Sequence, residues 1–520
     1  MKNFFAPLAI TFTILLSGCG GANGQGQGGS QGAAPVVSPQ ANEVIYLLSA
    51  DVPTLDPQAA NNGMTARVTM QIFESLTSFD DERNVVPNLA TSFEMLEDGT
   101  WQFTLREGVY FHDGSYFNAH VAKMNIDRMI DPSRGFPTAF MVEMIEEVTV
   151  VDEYTIHIAT EFPFAPLPSH FTHFGTFMHS PLSIEAEANG ANIADYVVGT
   201  GPFKFVSFEP SLSVHMVRNP NHWQVVPEIE YLTFLIVPEP STRMNMLISG
   251  EANALVGQPA NVPALDSYPQ VDLMLVNTNA KQYIGFNVLN PPFDDIRVRQ
   301  AIAMLIDRDD IITAAAEGLA VAGVGPIPYG VVGSPQGMQP LPQDTDRALQ
   351  LLQEAGVASG FDTELHIFGG NVPQSITASY LQAILAPLGI NISIYQHEVG
   401  AFLEMMDTGN YSGMFIGSWT TISWDADYAL YPLFHSSQAP MQGRWTQFTN
   451  PVLDSVLDQA RQTPDQTERN SLYRQASEIL IYEAPIVVTH YPIQPFLTNG
   501  IEGVIIRNGT LPYFHSVRMK

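Results

Sequence analysis

Between residues 361 and 420 the chain alternates strand-like and helix-like apolar segments: ELHIFGG, SITASYLQAILAPLG, INISIYQ, AFLEMMDTGNY and GMFIGSW. Few folds accept this order. Parallel strands need a long crossover, usually helical, and the crossover has one hand. The run therefore predicts an α/β lobe with a largely parallel sheet. Flanking segments extend it. DDIRVRQAIAMLIDRDDIITAAA puts Ile296, Ala301, Leu305 and Ile312 on related helical faces. DTDRALQLLQEAG reads as a helix with Asp344 or Asp346 as N-cap and Gly356 just past its end. Helices are expected at 450–462 and 465–482, before the closing APIVVTHYP.

The first half reads differently. EVIYLLSA (43–50) is a short strand, and residues 65–79 carry helical spacing through Val68, Ile72 and Leu76. Asp98-Gly99 marks a hairpin turn, after which Trp101, Phe103 and Leu105 alternate at period two. This part predicts antiparallel strands with one helix, Ala119 to Met129. Three strands follow in GTGPFKFVSFEP, LSVHMVRNPNHW and YLTFLIVP, then a helix stopped by Gly250. No internal repeat and no second linker occur, so the lobes are expected to be woven together by several crossings.

The opening MKNFFAPLAITFTILLSGCG has one basic residue, Lys2, and an apolar run from Phe4 to Leu16. It is short for a membrane span of about 20 residues and reads as a secretion signal. Its end, Leu16-Ser17-Gly18-Cys19, resembles a bacterial lipobox, which implies cleavage before Cys19 and lipidation of it. Cys19 is the sole cysteine, so the mature chain has no internal disulfide and relies on core packing. Residues 20–42, rich in Gly and Gln, read as a flexible linker. The anchor would be the only membrane contact.

A formal charge of −31, from 22 basic and 53 acidic residues, argues against nucleic acid, whose phosphates would be repelled. It favours cationic or zwitterionic ligands through steering. The basic set is five lysines and 17 arginines. An acidic, lysine-poor exported chain suits an alkaline or saline exterior, and genomic base composition is the rival explanation.

Catalytic signatures are missing: no G-x-S-x-G, H-E-x-x-H or Walker spacing occurs, and no cysteine nucleophile is available. The chain reads as a binding protein without a cofactor. Its most pointed stretch is GSWTTISWDADYALYPLF (417–434), which sets Asp425 and Asp427 among Trp419, Trp424, Tyr428 and Tyr431. A buried carboxylate needs a partner, so acids among rings suggest a pocket for a cation. SHFTHFGTFMHS offers His170, His173 and His179 as a metal cluster, but the spacing fits no closed zinc pattern and the interleaved phenylalanines favour packing.

Six motifs in order carry a resemblance: TLDP (54–57), DGTWQFTLREGVYFHDGSYFNA (98–119), GTGPFKF (199–205), ISGEANA (248–254), FDDIRVRQAIAMLIDRDDI (293–311) and DADYALYPLF (425–434). Together they resemble the peptide/nickel/glutathione class of ABC-importer solute-binding proteins (family 5). Residues 417–434 are most similar to the glutathione-binding members. Asn253, Thr104 and Tyr110 depart from the pattern.

The resemblance implies an α/β fold of the type II periplasmic-binding-protein kind, with two lobes, a hinge and an additional inserted domain (cluster C type). Lobe I would comprise 43–77, 195–284 and 490–515, the insertion 78–194, and lobe II 285–489. It implies a monomeric extracytoplasmic receptor, lipid-anchored to the membrane, that closes on glutathione or short peptides and docks on a permease. The alternatives are a nickel- or metal-chelate receptor, a surface chaperone, an environmental sensor or a hydrolase on the same body. Asp427 would hold the ligand ammonium or, failing that, cap the turn and pair with a local arginine. Asp425 is the expected turn cap. Trp419, Trp424 and Tyr428 would wall the pocket, Arg444 would meet a carboxylate, and Asn61 to Met64 and Arg67 would line the cleft.

Overall fold

One strand, Ile486–Asn499, runs 14 residues without a break and joins the two halves of the chain. Its first residues pair with Ala280–Phe286 and Ala320–Ala322, and its last with Val271–Asn277 and Ala254–Val256. The computed structural model describes residues 42–438, 443–509 and 511–520; the signal-like segment, Cys19 and nearly all of the linker lie outside these.

On one side of the long strand the sheet continues through Ala280–Phe286, Met414–Thr420, Phe361–Phe368 and Ile390–His397. On the other it continues through Ala254–Val256, Glu43–Leu48, Tyr231–Ile236, Ser213–Arg218 and Phe203–Glu209. The parallel region expected around 361–420 is confined to its three strands. Ala280–Phe286 pairs antiparallel on both of its edges, so this part of the sheet is mixed.

Most helices form where the apolar period predicted them, but the run through Ile296, Ala301, Leu305 and Ile312 is two helices, Ile296–Leu305 and Arg308–Ala315, parted by the extended Ile306 and the Asp307 cap. Thr345–Glu354 is capped by Asp344, whose side chain accepts from Arg347 N–H, and Gly356 follows its end at φ +79°. One predicted helix is shorter than its pattern: Gly63–Thr69 stops well before Leu76. The backbone carbonyls that would continue it are taken from outside, by Phe203 N–H on Gln71 O (3.0 Å) and Gly201 N–H on Ile72 O (2.8 Å). Tertiary pairing overrides the local period. It also explains GTGPFKF: a Cβ on Gly199 would lie 2.1 Å from Ile72 O.

Residues between these segments build a separate antiparallel sheet, Ala90–Met95, Trp101–Leu105, Thr155–Thr160 and Ile145–Asp152. Trp101, Phe103 and Leu105 are buried, with Gln102 and Thr104 half-exposed between them. Its core, including Phe103, Phe117 and Phe171, packs beneath Ala119–Ile130. A buried ionic cluster ties this unit to the TLDP loop: Arg128 meets Asp56 at 2.8 Å and Glu187 at 2.7 Å, and His179 Nε2 lies 3.1 Å from Asp56. Although burial opposes it, the pairing with His179 and Arg128 holds the Asp56 carboxyl well below the usual range.

Candidate functional site

The aromatic–acidic stretch runs from the end of strand Met414–Thr420 into helix Ala426–Phe434. Asp425 is the N-cap: its Oδ1 accepts from Asp427 N–H (2.9 Å) and Tyr473 O–H (3.1 Å). Its Oδ2 accepts from Ser169 O–H (3.1 Å) and faces Arg469 at 3.4 Å. The loop leading in is held by Trp424, a non-glycine residue at φ +54°, whose carbonyl accepts from Val332 N–H (2.8 Å).

Pro432 sits inside this helix. It has no N–H, so the Tyr428 carbonyl four residues earlier loses its helical donor. Trp419 Nε1–H fills the gap at 2.9 Å. The same contact stacks Trp419 on Tyr428 with ring centres 5.3 Å apart. Phe140 stacks on Tyr428 at another 5.3 Å. These rings wall a cavity of about 450 Å³ that also takes in Asp427, Arg461 and His170.

Asp427 is 4% exposed. Burial pushes its carboxyl up to about 6; Arg461 opposes the rise and Asp425 adds to it. Arg461 Nε lies 3.1 Å from Asp427 Oδ1, but outside hydrogen-bond geometry, and neither atom has another hydrogen-bond partner in the protein. The guanidinium is held by rings instead, 3.8 Å above Tyr431 and 4.9 Å from Phe164. Asp407 and the exposed Glu143 add two more carboxylates to the cavity wall. Among the described residues Arg461 is its only lining Arg or Lys, so acids outnumber basic groups there.

A neighbouring cavity of about 280 Å³ is lined by Arg67, His173, Thr420, Ile422 and Trp424, among others. The sequence-predicted residues thus divide. Trp419, Asp427 and Tyr428 share the larger cavity; Trp424 and Arg67 line the smaller. Trp424 is buried, with Arg83 stacked 4.5 Å over its ring. Arg67 donates to Gly63 O (2.9 Å) in its own helix. Two candidates line neither cavity. Arg444 spends its guanidinium on the carbonyls of Gln438 (2.7 Å) and Phe448 (3.2 Å), closing its own loop. Met64 packs against the first core.

The histidines do not converge. His170 Nδ1–H donates to Met141 O (2.8 Å), His173 Nδ1 accepts from Gly175 N–H (3.0 Å), and His179 faces Asp56. Among the described residues no group of three or more His, Cys, Asp or Glu is placed to hold a metal ion.

Arg461 and Phe140 escaped the sequence reading. Arg461 had a signal. In Pro451–Gln462 the buried residues are Leu453, Val456, Leu457, Ala460 and Arg461, a charge on the apolar stripe of an amphipathic helix. Such a charge needs a partner inside. Phe140 had none, being one of many phenylalanines in an irregular segment.

Two domains' worth of sheet joined by a shared strand, with an aromatic, charged cavity beside it, define an extracytoplasmic solute-binding protein of the two-lobed, type II periplasmic-binding-protein-like α/β class. Residues 84–441 match the profile of the bacterial extracellular solute-binding proteins, family 5 Middle, and the chain belongs to that family. It is therefore a binding receptor and not an enzyme. It is 30% identical over 465 residues to the glutathione-binding protein GsiB of Pectobacterium atrosepticum, covering 87% of this chain and 90% of that one. Its fold matches DppA from Helicobacter pylori in complex with the peptide STSA, with a TM-score of 0.74 and 26% identity over 92% of this chain and 98% of that one. It also matches HbpA2 from Haemophilus parasuis, with a TM-score of 0.84, 24% identity, and 92% and 100% coverage. Among the described residues no helix is long and apolar enough to cross a membrane.

Proposed function

We propose that the protein captures short peptide-like solutes with a free amine, glutathione among them, and delivers them to an ABC-importer permease. Asp427 carries this reading: a buried carboxylate in a ring-walled cavity, with an oxygen accepting no hydrogen bond from the protein. Arg461 supplies a countercharge without a hydrogen bond, and a ligand ammonium supplies the missing donor. The stacked Trp419, Tyr428 and Phe140 supply apolar wall and cation–π attraction. The relatives named for glutathione and for a bound peptide agree with this ligand class.

The receptor is anchored through a lipid on Cys19 and works as a monomer. Its lobes are 43–77 with 195–284 and 490–515, and 285–489; residues 78–194 are the insertion. They hinge where the chain crosses between Val271–Asn277 and Ala280–Phe286 and again within Ile486–Asn499.

A thermal-shift panel on the body from residue 41 tests the reading. The panel holds reduced and oxidised glutathione, di- to pentapeptides, and Ni(II) with and without histidine. Binding at one hundred times the dissociation constant adds about 2.7 kcal/mol. A shift with free-amine ligands that disappears in Asp427→Asn supports the amine anchor. A shift with nickel alone overturns it.

A further inference from the structure

His170 ends helix Leu167–His170, His173 caps the turn Phe174–Thr176 three residues on, and their ring nitrogens are in opposite states. A carbonyl can only accept, so the bond to Met141 O puts the His170 proton on Nδ1. A backbone N–H can only donate, so the bond from Gly175 leaves His173 Nδ1 bare. Burial lowers the two imidazoles to about 4 and about 3, so both are neutral at pH 7. A neutral ring carries one proton. His170 Nε2 is therefore a bare acceptor, and His173 Nε2 carries a hydrogen. Both atoms are buried and have no hydrogen-bond partner among the described residues. His170 lines the larger cavity beside Asp427, and His173 lines the smaller one beside Arg67.

We infer that this pair reads the polarity of the ligand: His170 Nε2 accepts from the ligand amine beside Asp427, and His173 Nε2–H donates to a ligand oxygen in the smaller cavity. The inference rests on the amine-anchor reading of Asp427 and adds a direction to it. The donor end of the solute enters the larger cavity. An acceptor end, a carboxylate or carbonyl, reaches the smaller one. The two sites are adjacent, since His173 N–H donates to His170 O at 3.1 Å. Trp419 and Thr420, consecutive in the chain, line one cavity each.

The test uses two asparagines. In His170→Asn the amide N–H can still donate to Met141 O, while the Nε2 acceptor is gone. In His173→Asn the amide oxygen can still accept from Gly175 N–H, while the Nε2–H is gone. Calorimetry on the wild type, both variants and Asp427→Asn uses a free dipeptide, its N-acetyl form and its C-terminal amide. His170→Asn is expected to weaken the free dipeptide about tenfold, with little further loss for the N-acetyl form. His173→Asn is expected to weaken the free dipeptide by a similar factor, with a smaller loss for the amide. A melting temperature within a few degrees of wild type shows that the retained bond still holds the fold. Both variants binding within twofold of wild type, while Asp427→Asn binds nothing, overturns the inference and leaves the anchor standing. No binding by the wild type overturns both.

Discussion

At the scale of single residues, the environment of Asp427, the proposed amine anchor, gives the sign of the pH dependence. Its folded-state value, about 6, lies above the usual carboxylate range near 4. The folded protein keeps a proton that the unfolded chain releases. The group's contribution to stability therefore falls as pH rises from about 4 to about 6, by up to about 3 kcal/mol, and is level above that. A ligand ammonium needs the ionised form, so affinity for free-amine peptides should rise over the same window. Calorimetry at about pH 5, 6 and 7 should show the dissociation constant falling by close to an order of magnitude. A flat profile would mean that Asp427 is not the anchor. His170 and His173 titrate below this window and do not mask it. Asp427→Asn should flatten the stability profile and weaken binding by about 2–4 kcal/mol at pH 7.

At the scale of elements, helix Ala426–Phe434 depends on two neighbours that the local sequence does not contain. Trp419 repairs the hydrogen bond Pro432 removes, and buried Lys281 Nζ donates to Ala429 O at 2.8 Å. Pro432→Ala returns a donor to the Tyr428 carbonyl and frees the Trp419 indole. The expected result is a shift in tryptophan emission and about a threefold loss of affinity, with the melting temperature held or raised. Unchanged emission would show that the carbonyl does not position the ring. A second element-scale expectation concerns the truncated helix Gly63–Thr69. Gly199→Ala places a methyl against the Ile72 carbonyl and should cost at least about 2 kcal/mol in denaturant unfolding.

The same elements show what could be read in advance. Caps, turns and amphipathic periods were legible because they are local: Asp344, Asp98-Gly99 and Gly250 each act within a few residues. Trp419, Asp427 and Tyr428 were legible because polar and aromatic residues shared one short stretch. Arg444 was misplaced and Phe140 missed because a cavity is closed by segments far apart in sequence. Residues 140, 419, 427 and 461 meet only in the folded chain. The early end of the first helix was illegible for the same reason: its competitor lies some 130 residues away.

At the scale of the whole molecule, the proposed capture rests on contacts between the proposed insertion and the α/β half. Besides the cavity wall these include Ser169 O–H to Asp425 (3.1 Å), Ala165 N–H to Arg461 O (2.7 Å), and the Arg461 guanidinium against Phe164 (4.9 Å). A ligand shifts an opening equilibrium only through contacts that differ between its two states. Under the proposed lobe closure the Ser169–Asp425 bond is such a contact, and Ser169 lines neither cavity. Ser169→Ala removes one charge-assisted hydrogen bond to a carboxylate that keeps Tyr473, Arg469 and the Asp427 N–H. The binding-competent fraction should fall, and the apparent dissociation constant should rise by the same factor, about two- to tenfold. The loss should be equal for every ligand, because no ligand touches Ser169. Scattering from the ligand-free variant should give a larger radius of gyration than wild type, and saturating peptide should bring the two together. A loss that differed between ligands would place Ser169 in the site itself. Unchanged affinity and radius would mean that the contact does not govern closure.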